Sequence, residues 1–192
     1  MKLFALVILF VFAESMSAYA TGVSFPGKSA DTCVSPNQKW CIRCESQEQD
    51  SGEYVHQLFL NRVGQSDKVS IWESGRSCDT LWSDDSQHIA VTDWSGSNVA
   101  GIFLVDVQSP SRAVELDVKN IRDIAQKAEL AGHVYYEAVK WESSRQLLIR
   151  VFGHTDELNS SGHGFTYYLS VNISSGLGKL VMKLDDEMFG WR

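Results

Sequence analysis

The chain has 192 residues, 44% hydrophobic and 21% charged, with 17 Lys and Arg against 24 Asp and Glu and a formal net charge of −7. That length supports one domain with a real core. The acidic balance argues against nucleic acid, whose phosphates reward clustered Lys and Arg, and suits a cationic partner better.

Met1-Lys2, the apolar run from Leu3 to Ala13 and the small-residue site Ala18-Tyr19-Ala20 have the layout of a secretory signal cut after Ala20. The run is too short to cross a hydrocarbon layer, which takes about 20 residues. No cysteine stands at the cut to carry a lipid. The expectation is a periplasmic or secreted product, residues 21–192, forming a single domain with no membrane span.

After a polar leader from 21 to about 31 come four cysteines, Cys33, Cys41, Cys44 and Cys78. An even number in an oxidising compartment points to two disulfides, with three connectivities open. Cys41-Ile42-Arg43-Cys44 has C-x-x-C spacing, but its flanks look like strand, so the two cysteines face opposite ways and are expected to bond to different partners, Cys33 and Cys78.

From there strand signals alternate with turn signals. Strands are expected at 39–44, 54–62, 68–73, 80–82, 88–94, 102–107, 113–118, 134–141, 147–152, 165–173 and 179–184. Turns fall at 64–67, 95–98, 108–111 and 174–176, each with Gly, Asn or Pro at the punctuating place. Ile121, Ile124, Ala125 and Ala128 fall at i, i+3, i+4 and i+7, which predicts a three-turn amphipathic helix over 120–131.

The strands recur as units. Trp82 to Thr92 is echoed by Trp141 to Val151, and Phe103, Val105 and Val107 by Leu169, Val171 and Ile173; a weaker copy begins at Gln38. The units span about 38–73, 80–118 and 134–184, lengths typical of propeller blades. Residues 102–107 are apolar on both faces except Asp106, as suits a sheet between two others, whereas Leu169, Val171 and Ile173 alternate with Ser170 and Asn172, as suits a terminal sheet with a solvated side. The fold class expected is mostly β: about three small antiparallel sheets in an open, propeller-like stack with one short helix.

Trp82-Ser83-Asp84-Asp85-Ser86-Gln87-His88-Ile89-Ala90-Val91-Thr92, with Ile102 to Asp106, resembles the tryptophan-serine-proline-aspartate-glycine repeat of TolB-type and WD-like β-propellers. Asp84 stands where proline is usual and Ser86 where glycine is usual. The resemblance implies that Trp82 is core, Asp85 holds the turn and Asp106 ends its strand. It implies a binding role and no reaction. Three units are too few for a closed ring, which takes four to eight.

Stacked in parallel, the units would present the loops 45–53, 93–101 and 153–164 on one rim. The binding candidates there are Asp93, Trp94, Asn98, His154, Asp156, Glu157 and His163, an acidic surface with a tryptophan anchor. His154, Asp156, Glu157 and His163 come nearest to a metal cluster, but their spacing fits no ligand motif, so no metal and no cofactor is assigned. Gly75-Arg76-Ser77-Cys78-Asp79 lacks the last glycine of a nucleophile elbow, and no phosphate loop or H-E-x-x-H is present. The function expected is an exported module that binds a protein or small ligand without catalysis, such as an inhibitor or immunity-type partner of a cationic protein. The alternative is a secreted metal-dependent hydrolase using the 153–164 loop.

Overall fold

The computed structural model describes residues 22–27, 31–97, 99–127, 129–154 and 164–184. Strand β1 (Gly22–Phe25) comes first and joins the second sheet. The first sheet follows from β2 (Thr32–Val34), β3 (Trp40–Glu48), β4 (Tyr54–Arg62) and β5 (Lys68–Ser74), paired in that order. The second sheet holds β6 (Cys78–Trp82), β7 (His88–Asp93), β8 (Val99–Asp106) and the two-residue β9 (Val114–Glu115), with β1 antiparallel on β6. The third is β10 (His133–Ser143), β11 (Gln146–His154), β12 (Gly164–Asn172) and β13 (Gly178–Leu184). A short parallel contact, Val99 and Ala100 of β8 against Val134 and Tyr135 of β10, joins the second and third sheets by hydrogen bonds. The chain is thus mostly β, in several antiparallel sheets that do not close into a ring.

The middle sheet is covered on both sides. Cys78, Trp82, Ile89, Val91, Val105 and Val107 pack with Ile42, Leu58, Leu60 and Ile71 of the first sheet. Leu81, Ala90 and Ile102 pack with Trp141, Leu147, Ile149, Val151, Leu169 and Val171 of the third. Strand periodicity of two sends neighbours to opposite faces, so one short sheet serves two cores. On β12, Phe165, Tyr167, Leu169 and Val171 are buried and Tyr168, Ser170 and Asn172 partly exposed, the alternation of a terminal sheet.

The recurring tryptophans have one job. The Trp82 indole donates to the Cys33 carbonyl at 3.4 Å, and Trp141 donates to the Leu81 carbonyl at 3.1 Å. Each reaches from the first long strand of its unit to the opening strand of the sheet before it, so a large apolar ring and a satisfied N–H join two sheets.

The turn between β6 and β7 works as the repeat implies. Asp85 Oδ1 accepts from the Ser83 hydroxyl at 2.7 Å and the Gln87 N–H at 3.0 Å, and Ser83 Oγ accepts the His88 N–H at 2.9 Å. Ser86 sits at φ 60°, the left-handed conformation that glycine takes without strain. Its buried hydroxyl accepts the Asn37 N–H at 3.1 Å, tying the turn to the first sheet. Asp106 Oδ1 caps the end of β8 by accepting the Gln108 N–H at 2.7 Å.

Three expectations need correction. The leader contributes β1, whose Gly22 to Phe25 pair with Leu81 to Cys78. The strand expected over 113–118 shrinks to Val114–Glu115. The expected three-turn helix is a single turn, α1 (Ile121–Ile124), followed by a 3₁₀ turn at Glu129–Ala131. Asn120 does not cap it: its side chain bonds both the N–H and the carbonyl of Gly178, at 2.8 Å each. Ala125 turns extended, and Glu129 accepts the Gln126 N–H at 2.8 Å, the Tyr167 hydroxyl at 2.5 Å and Lys183 at 3.4 Å, which fastens the connector to the third sheet. All four cysteines are buried, and no two of them stand at disulfide distance in this structure. Ile42 and Cys44 enter the first core with Cys33 and Cys78, while Cys41 lies one residue out of phase and donates to the Ile42 carbonyl at 3.4 Å. Burial pushes the Cys78 thiol up to about 12, with the Cys44 sulfur adding to it.

Candidate binding cleft between the second and third sheets

Strand β10 crosses the middle sheet edge-on. Its Ala138 N–H donates to Thr92 Oγ1 of β7 at 3.0 Å, and below this crossing lies a cleft of about 170 Å³. The walls come from Gly22 to Ser24, Asp79 to Leu81, Thr92 and Glu137 to Val139. Asp79 and Glu137 thus reach it from different sheets.

Both carboxylates are held. Asp79 Oδ2 accepts the indole N–H of Trp94 at 2.6 Å. Glu137 pairs with Arg150, directly opposite it on β11, at 2.6 Å. Burial nonetheless raises the Glu137 pKa above the usual glutamate value; Arg150 opposes the rise and Asp79 adds to it. Two carboxylates against one guanidinium leave one negative charge in a half-buried space, where water screens it less than at an open surface.

Arg150 belongs to a ladder of cross-strand pairs on the outer face of the third sheet: His133 with His154, Tyr135 with Phe152, and Glu137 with Arg150. Opposed residues share a face, and the intervening Ile149 and Val151 enter the core. Tyr135 stacks on Phe152 at 5.2 Å, the Arg150 guanidinium lies 4.1 Å from the Phe152 ring centre, and Trp94 tilts against Phe152 at 6.4 Å. The Tyr135 hydroxyl donates to the Ser97 carbonyl at 2.8 Å, so the β7–β8 hairpin is fastened to the ladder. Arg150 Nε is buried without an acceptor among the described residues.

Of the candidates, Trp94 lies against Phe152 of the ladder, and His154 stands one rung above Phe152. Asp93 is buried and accepts the Ser74 hydroxyl at 2.6 Å, on the side facing the first sheet. Asn98, Asp156, Glu157 and His163 lie outside the described residues. On the first loop, Glu45 is paired with Lys68 at 2.5 Å and Glu48 accepts from Tyr54 at 3.3 Å. Glu45 lines a separate groove of about 470 Å³ with Gln47, Gln57 and Glu73, which shares no residue with the cleft. Sequence reasoning missed Asp79, Glu137, Arg150, Tyr135 and Phe152; the spacing of Glu137 and Arg150 about the β10–β11 turn carries that signal once the register is known.

No protein-family model matches the chain, and no curated protein matches it in sequence. Solved structures do resemble it in shape. The acylaminoacyl peptidase of Pyrococcus horikoshii aligns with TM-score 0.52 at 12% identity over 79% of this chain and 24% of its own. The β-propeller domain of the trilobed protease of Pyrococcus furiosus, described as having an open velcro topology, aligns with TM-score 0.52 at 12% identity over 80% of this chain and 43% of its own. A further acylaminoacyl peptidase, solved with a chloromethyl ketone, aligns with TM-score 0.52 at 11% identity over 89% of this chain and 26% of its own. The chain therefore has a β-propeller-like fold and spans less than half the length of the structures it resembles. At such identities the likeness concerns fold alone.

Proposed function

We propose that this chain is an exported binding module without chemistry of its own, and that the cleft between the second and third sheets takes a cationic group of its partner, a lysine or arginine side chain of a basic protein. The observation that carries this is the presence of Asp79 and Glu137 on different walls of one cleft, with Arg150 as counter-charge to Glu137 alone. Trp94, Tyr135 and Phe152 beside it are residue types that anchor interfaces, since their rigid rings desolvate at low entropic cost.

The test uses lysine- and arginine-containing tripeptides against their norleucine and citrulline isosteres, followed by calorimetry. Saturable binding of the cationic forms alone, lost in an Asp79→Asn, Glu137→Gln double variant of unchanged melting temperature, supports the proposal. Equal response to the neutral isosteres, or binding that survives in the double variant, overturns it. Export rests on residues 1–20 and is tested by locating the chain and sequencing its mature N-terminus; a start at Met1 in the cytoplasm refutes it. Export also carries the expectation of disulfides among Cys33, Cys41, Cys44 and Cys78. Four titratable thiols in denatured exported protein would overturn that expectation.

A further inference from the structure

The top rung of the ladder has a use that the cleft does not explain. His133 opens β10 and His154 closes β11, and the two are directly opposed in the antiparallel register, so both rings stand on the same outer face. Their centres lie 4.6 Å apart at an interplanar angle of 54°. A transition metal binds imidazole nitrogen at about 2.0–2.1 Å, so two imidazoles on one near-tetrahedral metal have ring centres about 5 Å apart. The observed spacing is close to that value before any side chain moves.

The backbone beneath the pair is fixed. Gly153, next to His154, lies so close to β10 that a Cβ would stand 1.7 Å from the His133 carbonyl oxygen and 2.9 Å from its carbon. The Tyr135–Phe152 stack one rung below holds the same two strands at the same face. A chelating pair gains affinity when its donors are placed beforehand, because less side-chain freedom is lost on binding.

We propose that His133 and His154 form a two-imidazole site for a borderline divalent transition metal, Zn²⁺ or Ni²⁺, with coordination positions left for water. Neutral imidazole suits these ions, whereas Mg²⁺ and Ca²⁺ prefer oxygen donors. No group of three or more His, Cys, Asp and Glu side chains suited to a metal occurs among the described residues, so the described residues supply two nitrogens.

The untagged chain is titrated with NiCl₂ or ZnCl₂ by calorimetry, with MgCl₂ as comparison. One Ni²⁺ or Zn²⁺ per chain, weakened at least about tenfold in both His133→Gln and His154→Gln, is the expected result. Metal should raise the melting temperature of the parent but not of the double variant. Each variant is melted without metal, so that loss of fold is told apart from loss of ligands. Undiminished affinity in the double variant, or binding abolished by His163→Ala while His133→Gln leaves it intact, overturns the proposal. Equal affinity for Mg²⁺ overturns it as well.

Discussion

Gly153→Ala is the sharpest single test of the third sheet. Judged by strand propensity alone, replacing a strand glycine with alanine should stabilise, by about 0.5–1 kcal/mol, because glycine loses more freedom on folding. The packing predicts the opposite. The added methyl would stand 1.7 Å from the His133 carbonyl oxygen and 3.0 Å from the Phe165 ring, and relieving the first contact moves β10 by about 1.5 Å. Both obstacles resist, the first because it is backbone and the second because Phe165 is core. Overpacking of this kind costs about 1–3 kcal/mol, and rigid backbone on one side argues for the upper half of that range. A net loss of about 2 kcal/mol, with a urea dependence of about 2 kcal/mol per molar, lowers the unfolding midpoint by about 1 M. A midpoint that stays or rises would refute the reasoning and the close approach of β10 to β11 with it.

Trp82→Phe should cost about 2–3 kcal/mol, since it removes the buried indole bond from the middle sheet to the first sheet and takes volume from a fully buried site; a loss under about 1 kcal/mol in denaturant unfolding counts against the intersheet role. Glu137 holds its proton to higher pH in the folded state than its ordinary value of 4.5, so the folded state binds more protons in that window and the group's contribution to stability falls as pH rises through it. The parent minus Glu137→Gln difference in stability should therefore decline with pH from about 4.5 upward, and a rising difference would show the wrong sign. The Cys78 thiol, pushed up to about 12, should resist iodoacetamide at pH 8 in the native reduced protein and react only on unfolding; rapid native alkylation, located by mass spectrometry, would contradict its burial.

The strand pattern, the double-faced middle sheet and the role of Asp85 were legible because each is a local periodicity or a short turn whose chemistry is complete within a few residues. The helix over 120–131 misled because Ile121, Ile124 and Ala125 have helical spacing but the competing partners, Gly178 for Asn120 and Tyr167 for Glu129, lie far along the chain. Long-range bonds of this kind override spacing. β1 was invisible for a related reason: four residues carry no periodicity of their own and become a strand only because β6 offers an open edge. At the cleft, Trp94 stood out as an aromatic in a polar loop. Asp93 beside it has the same apparent promise, and only the alternation of faces decides that Asp93 turns to Ser74 while Trp94 turns to Asp79.

The middle sheet has a consequence for the history of each molecule. Residues 32–74 of the first sheet precede it in the chain, so wherever the chain emerges N-terminus first, the cover for the face bearing Trp82 and Val91 is already present. The face bearing Leu81, Ala90 and Ile102 waits for Trp141 and the strands after it, and until then it is an open apolar surface on a half-made protein. A chain stopped near residue 130 would end with that surface exposed, which makes the interval before the third sheet arrives the stage at which a holding chaperone matters most.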